Sequence, residues 1–272
     1  MPPFEASGRN SGRFSGGIWK GLPPMIERDP TVGLYACETF TTFGLTTPVA
    51  TNVAYYSGTA GPYKSYEDDT CAITQDPTAL GTMKMSIVAT DNKEAWLQSN
   101  SGVGVLGKIT SGTSGRKQLF ETRIALGQIV TQNFFVGLME EGCAAHDLVS
   151  DAGGLPDKDY IGFWVAEAAS SVLYFAYKKA GQTAQTVLTP FQTLAVDTYY
   201  NVGWVFDPDA PAAERLRIYL NGAKQSSFVT SANIAAATFP SGEEMAFTIG
   251  GKTSGAAAKS IYCQGWRFAQ PF

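Results

Sequence analysis

Residues 199–222, YYNVGWVFDPDAPAAERLRIYLNG, read as strand, wide turn, strand and tight turn. Tyr200, Val202, Trp204 and Phe206 share one face of the first strand, and Tyr199, Asn201 and Gly203 share the other. The stretch from Asp207 to Pro211 cannot continue a ladder, because each proline lacks an N–H and has a fixed φ. Alternation then resumes, with Leu216, Ile218 and Leu220 inward and Arg215, Arg217 and Tyr219 outward. Asn221 and Gly222 both tolerate the positive φ of a two-residue hairpin turn. A period of two with one apolar face describes a sheet packed on a second layer.

The same pattern recurs on both sides of this hairpin. Phe120, Ile124 and Leu126 alternate with Glu121 and Arg123. The runs NFFVGLM, DYIGFWVA and SVLYFAYKK are continuous apolar segments of strand length. Such runs are expected of central strands covered on both faces. Met245, Phe247 and Ile249 alternate again, and the chain closes on IYCQGWRF, residues 261–268. No long segment of period 3.6 intervenes; residues 212–214 and 235–237 are at most single turns. The expected architecture is all-β, a jelly-roll sandwich over residues 117–272. Residues 35–116 contribute additional strands and loops, either within the sandwich or as a small subdomain. Residues 1–34 form an extended N-terminal arm.

Composition narrows the function. The 272 residues hold 24 acidic and 20 basic side chains, a net charge of -4, which argues against nucleic acid as a direct partner. Mean hydropathy is -0.06 and charged residues make up 16%, a low share that suits a surface covered by partners. No apolar run is long enough to span a bilayer, and the N-terminus lacks the apolar core of a signal peptide. Folding in a cytoplasm is expected. Cys37, Cys71, Cys143 and Cys263 are scattered without metal or redox spacing and read as buried free thiols.

The arm is mildly basic through Arg9, Arg13 and Lys20, with Phe14, Ile18 and Trp19 as apolar anchors. It reads either as a strap that orders on a partner subunit or as a disordered leader. Tyr55, Tyr56, Tyr63 and Tyr66 crowd a loop-rich segment that is either an interaction surface or an ordinary connection. Asp147, Asp151, Asp157 and Asp159 lie on a Gly-containing loop that could hold Ca²⁺, although their spacing is not that of an EF-hand. Hydrolysis by two carboxylates needs both on one face, and no strand here carries such a pair; Glu140-Glu141 and Glu243-Glu244 are adjacent residues that would point to opposite faces. His146 is the single histidine and has no nucleophile motif around it.

The run 199–222, followed by MAFTIGG and Gly265-Trp266-Arg267-Phe268, resembles the concanavalin A-like jelly roll of laminin-G-type domains, legume lectins and many glucanases. The segments ATDNKEAWLQ (89–98), LFETRIAL (119–126), NFFVGLMEEG (133–142), DKDYIGFWV (157–165) and ANIAAATFPSGEE (232–244) are similar to those of tailed-bacteriophage virion structural proteins. That second resemblance implies a non-enzymatic capsid decoration or cement protein. It would bind the major capsid protein and neighbouring copies of itself as a dimer or trimer. It would sit on the capsid surface of a virion assembled in the host bacterial cytoplasm, without cofactor. The alternative expectation is a carbohydrate-binding module of a phage tail or head appendage that adheres to a host-surface glycan.

Overall fold

The structure is a computed structural model. It describes residues 15–19, 22, 31, 33–40, 54–56, 63–68, 70–79, 81–99, 115–144, 148–150, 154–169, 171–183, 185–255 and 257–272, with backbone alone for 54–56 and 185–190. Its strands in chain order are β1 (Gly33–Glu38), β2 (Ala54–Tyr56), β3 (Tyr63–Glu67), β4 (Ala72–Gln75), β5 (Met83–Ile87), β6 (Glu94–Ser99), β7 (Gln118–Leu126) and β8 (Gln132–Glu140). They continue as β9 (Tyr160–Val165), β10 (Val172–Lys178), β11 (Gln185–Thr193), β12 (Tyr200–Phe206), β13 (Leu216–Leu220), β14 (Ala223–Val229), β15 (Met245–Thr253) and β16 (Lys259–Pro271). Among the described residues there are also two short helices, α1 (Gly16–Trp19) and α2 (Ser231–Ala235), and short 3-10 turns.

Two antiparallel sheets result. The first runs β14-β13-β12-β7-β16-β5-β4, with β1 also paired to β16; the second runs β11-β10-β9-β8-β15-β6-β3-β2. This is the expected all-β jelly-roll sandwich. Strands from residues 33–99 enter both sheets, so this part of the chain belongs to the sandwich. The hairpin of the opening stretch forms with Val202 opposite Leu220 and Phe206 opposite Leu216. Asn221 and Gly222 take φ of 48° and 78°, and Leu220 pairs with Ala223 across them. The positive φ at both turn residues matches the twist of the flanking strands.

The inward faces pack one continuous core that includes Phe120, Trp204, Phe247, Trp266 and Phe268. The outer face of the first sheet holds a smaller apolar cluster. There Ile18, 3% exposed, rests on Leu119, Val205, Tyr219 and Ala269, with Trp19, Leu22 and Tyr35 around it. Two close approaches seat this N-terminal segment. A Cβ on Gly203 would lie 2.6 Å from Ile18 Cδ1, and one on Gly17 would lie 2.2 Å from the Gly222 carbonyl oxygen. Beneath it Glu121 is fully buried and accepts hydrogen bonds from Ser15 N, Ser15 Oγ, Trp19 Nε1 and, at 3.3 Å, Asn201 Nδ2.

Ile18, expected as a partner contact, is buried on the chain's own sheet, and Trp19, expected beside it, is half-buried there with Arg267 over its ring. This packing removes apolar area from water. Tyr63 and Tyr66, 2% and 8% exposed, are likewise buried and present no interaction surface. Arg9, Arg13, Phe14 and Lys20 lie outside the described residues, as do the side chains of Tyr55 and Tyr56. All four cysteines are free; Cys71, Cys143 and Cys263 are buried, whereas Cys37 is exposed against expectation. Burial pushes the Cys143 thiol up to about 12 and the Cys263 thiol up to about 11.

Ile18→Ala is expected to destabilise the protein by about 2 kcal/mol, the low end for a buried isoleucine truncated at a sheet surface. Urea denaturation measures it, and an unchanged midpoint would return the segment to the status of a free arm. Burial raises the Glu121 carboxyl above its ordinary value of 4.5, against the lowering hydrogen bonds from Ser15, Trp19 and Asn201. The folded state therefore binds this proton more tightly than the unfolded chain, and stability falls as pH rises from the ordinary value through the raised one. Glu121→Gln is expected to flatten that part of the stability–pH curve.

Candidate glycan-facing surface of the second sheet

The outward side chains of the second sheet fall into rows across its strands. One row runs Tyr66 (β3), Trp96 (β6), Gly250 (β15), Phe135 (β8), Trp164 (β9) and Tyr174 (β10), each opposite the next. The central glycine is required because a Cβ there would lie 2.4 Å from the Trp96 indole. Trp164 and Tyr174 lie side by side with centroids 5.8 Å apart and their planes tilted by 42°. The row on one flank is polar, with Glu94 opposite Lys252 and Lys252 opposite Asn133. Trp96 Nε1 donates to Glu94 at 2.8 Å, and Lys252 Nζ donates to the Val149 carbonyl at 3.1 Å. Asn133 exchanges two bonds with Glu167: its Oδ1 accepts from Glu167 N at 3.0 Å and its Nδ2 donates to Glu167 Oε2 at 3.4 Å.

The row on the other flank is small or neutral: Gln98, Thr248, Gly137, Gly162 and Ala176. Gln98 is the clamp of the whole face. Its Nε2 donates to the Glu140 carbonyl and to Thr248 Oγ1, both at 2.8 Å, and its Oε1 accepts from Gly142 N and Cys143 N. The chain after β8 is thereby turned back over the sheet, where Cys143, Ala144, Leu148, Val149 and Leu155 pack on Tyr66, Trp96, Phe135, Met139 and Tyr160. Among the described residues the cluster reaches Ala176 on β10 and takes in Trp164, and Trp164 and Tyr174 are half-buried at this end of the row.

The arrangement suits the flat face and hydroxyl rim of a sugar ring: adjacent aromatic faces beside planar polar groups already held in place. Trp164 Nε1 and Tyr160 Oη, both on the outward side of β9, are buried and have no hydrogen-bond partner among the described residues. The outward positions of β9 are Tyr160, Gly162 and Trp164, with no carboxylate among them. Glu94 and Glu167 share the polar row but are separated by Lys252 and Asn133 on the two strands between them.

Of the proposed calcium residues, Asp157 and Asp159 serve a turn instead. Asp157 accepts from Gly181 N at 2.7 Å and pairs with Lys178 at 3.1 Å, and Asp159 accepts from Ala180 N at 3.1 Å. The Gly181 N–H holds the Asp157 carboxyl below its usual range, while burial raises that of Asp159. Asp147, Asp151 and His146 lie outside the described residues. Among the described residues no group of three or more His, Cys, Asp or Glu side chains could hold a metal ion. Sequence reasoning missed Gln98 and the aromatic row, although the spacing of Glu94, Trp96 and Gln98 already places all three on one face of a strand.

No family model matches the chain, and no curated protein matches its sequence. Solved structures do match its fold. An endo-β-1,4-glucuronan lyase from the fungus Trichoderma reesei is 12% identical over 88% of this chain and 95% of its own, with a TM-score of 0.52. The carbohydrate recognition domain of Emp47p is 10% identical over 90% and 99%, with a TM-score of 0.52. Peanut lectin is 12% identical over 88% and 97%, also at 0.52. The expectation of a non-enzymatic protein is overturned as a deduction from fold, because this sandwich is shared with a glycan-cleaving enzyme as well as with lectins. The finer resemblance to tailed-phage virion proteins has no counterpart in these matches.

Gln98→Ala is expected to cost about 2 kcal/mol, since it leaves two N–H groups and a carbonyl without their partner. Amide hydrogen exchange at Gly142 and Cys143 should accelerate while exchange in β7 and β16 stays slow. Together these features describe a concanavalin A-like jelly roll whose second sheet carries an aromatic row, covered at one end and open at the other.

Proposed function

We propose that the protein recognises carbohydrate on the outer face of its second sheet, at the end where Trp164 and Tyr174 are half-buried. The observation that carries this reading is the pair of half-buried rings, 5.8 Å apart and tilted by 42°, beside the half-buried Glu167 carboxylate that the buried Asn133 amide holds in place. Rings offer their faces to the C–H surface of a sugar, and the carboxylate meets its hydroxyls with little ordering cost. The likeness of fold to a carbohydrate recognition domain, a legume lectin and a glucuronan lyase supports the same direction.

Three of the residues that suggested capsid decoration, Ile18, Tyr63 and Tyr66, are buried within the chain, and Trp19 is half-buried.

The test is a glycan array followed by titration of the hits. Trp164→Ala is expected to weaken binding by about tenfold or more, the equivalent of one lost aromatic contact, with an unchanged melting temperature. Equal affinity of every array hit in Trp164→Ala and Tyr174→Ala would sink the assignment. Assaying the same mixtures for shortened or unsaturated products separates recognition from turnover.

A further inference from the structure

The first sheet has an outer face of its own, and the N-terminal segment covers only half of it. The other half is a strip across β12, β7, β16 and β5. Arg123 is its centre. Its Nε donates to Gln264 Oε1 at 2.8 Å and its Nη1 to Asn201 Oδ1 at 2.9 Å. Its guanidinium lies 5.2 Å from the centroid of the Tyr199 ring. Next to it Tyr262 stands opposite Ala125 on one side and Lys84 on the other, and Lys84 Nζ lies 5.7 Å from the Tyr262 centroid. Ala125, Ser260 and Ser86 form a low floor around these side chains. Arg123, Tyr199, Tyr262, Gln264 and Lys84 are all partly exposed.

The strip depends on an interruption in a central strand. Cys263 pairs with Ile124 and Trp266 with Thr122, so Gln264 and Gly265 together oppose Arg123 alone. Gly265 takes φ of 133°, and Thr122 Oγ1 holds its carbonyl at 3.0 Å. The bulge lets Cys263 and Trp266 both enter the core while Gln264 is aimed outward, beside Arg123. Bulges are over-represented at sheet edges, at barrel rims and next to active sites, where they re-aim one side chain in this way. An ordinary solvated face needs neither the bulge nor a guanidinium fixed between two amides.

We propose that this strip is a second carbohydrate site, separate from the Trp164–Tyr174 face, and that its ligand is a neutral glycan. The tyrosine rings supply stacking surface, and the Asn201–Arg123–Gln264 set supplies donors and acceptors in fixed positions for hydroxyl groups. Charge selects against acidic sugars. Lys84 is one of the groups that draw the Asp76 carboxyl below its usual range, after the hydrogen bonds from Thr78. Asp197 flanks the floor beside Gly127, and the buried Glu121 lies behind Asn201. Two cations thus stand beside two carboxylates, Asp76 and Asp197, and a uronate or sulfate would meet no excess of positive charge.

The experiment is calorimetric titration of the full chain with neutral oligosaccharides (β-glucan, mannan and galactan fragments) and with uronate oligosaccharides. It uses the wild type, Trp164→Ala, Tyr262→Ala, Tyr262→Phe and Gln264→Ala. A neutral ligand should bind the Trp164→Ala protein with wild-type affinity and keep that affinity in about 0.5 M NaCl, where exposed charge interactions are screened. Tyr262→Ala and Gln264→Ala should each lose about tenfold, and Tyr262→Phe, which keeps the ring, should lose much less. A melting temperature equal to wild type shows that each variant is folded. The second site is refuted if no neutral ligand survives Trp164→Ala, or if Tyr262→Ala and Gln264→Ala bind as the wild type does. The neutral-ligand assignment is refuted if uronate oligomers bind the strip with salt-sensitive affinity. Loss of all binding in Trp164→Ala leaves the first site standing and removes only the second.

Discussion

Phe120, Trp204, Phe247 and Trp266 hold the two sheets in one register. Phe247 of the second sheet stacks on Trp266 of the first at 4.7 Å and 15°, and meets Phe120 at 6.3 Å; Phe120 in turn stacks on Trp204 at 5.8 Å. Trp266 Nε1 also donates across the sandwich to Tyr63 Oη at 3.1 Å. The strands concerned, β7, β12, β15 and β16, are central in their sheets. Because side chains alternate with a period of two, fixing these four rings inward fixes every odd or even position on the neighbouring strands. Polar chemistry is then forced to the two outer faces.

Each outer face solves its exposure in the same way. A polar side chain on a central strand becomes the buried anchor for a segment that folds back across the sheet. On the first sheet Glu121 receives Ser15 and Trp19; on the second Gln98 receives Gly142 and Cys143. Both anchors satisfy backbone N–H groups at turns of the chain, where an unpaired donor beneath a cover would be costly. Each cover also stops partway, and what it leaves open is aromatic and amide-rich on both sheets.

The fold was legible because its strongest signals are local. The alternation from Tyr200 to Phe206, the break at the prolines and the Asn221-Gly222 turn are properties of adjacent residues, and the structure follows them. The covers were not legible, since they are set by contacts such as that of Ile18 with Gly203, far apart in sequence. Tyr63 and Tyr66 looked like surface because their neighbours are Gly, Lys and Ser, yet β3 lies against β6 and both rings are enclosed. Closing strand β16 hid its change of face at Gly265, because one inserted residue leaves composition unchanged while exchanging which side chains point out. Half of the second site is invisible without that exchange. The aromatic row was readable position by position, but its alignment across six strands follows only from pairing.

The two open surfaces belong to opposite sheets of one sandwich and so point away from each other, with both layers of core between them. A single glycan chain bound to the Trp164–Tyr174 face cannot also reach the Arg123 strip without turning round an edge of the molecule. With both faces occupied, the protein joins two separate chains. The gain in apparent affinity that bivalent binding gives on one polymer is then absent, and multivalency appears only where glycans are dense enough for one molecule to bridge neighbours. The cover anchored by Gln98 closes off the aromatic row at Trp96 and Phe135, so on the proposed reading a glycan chain meets only the Trp164–Tyr174 end of that row.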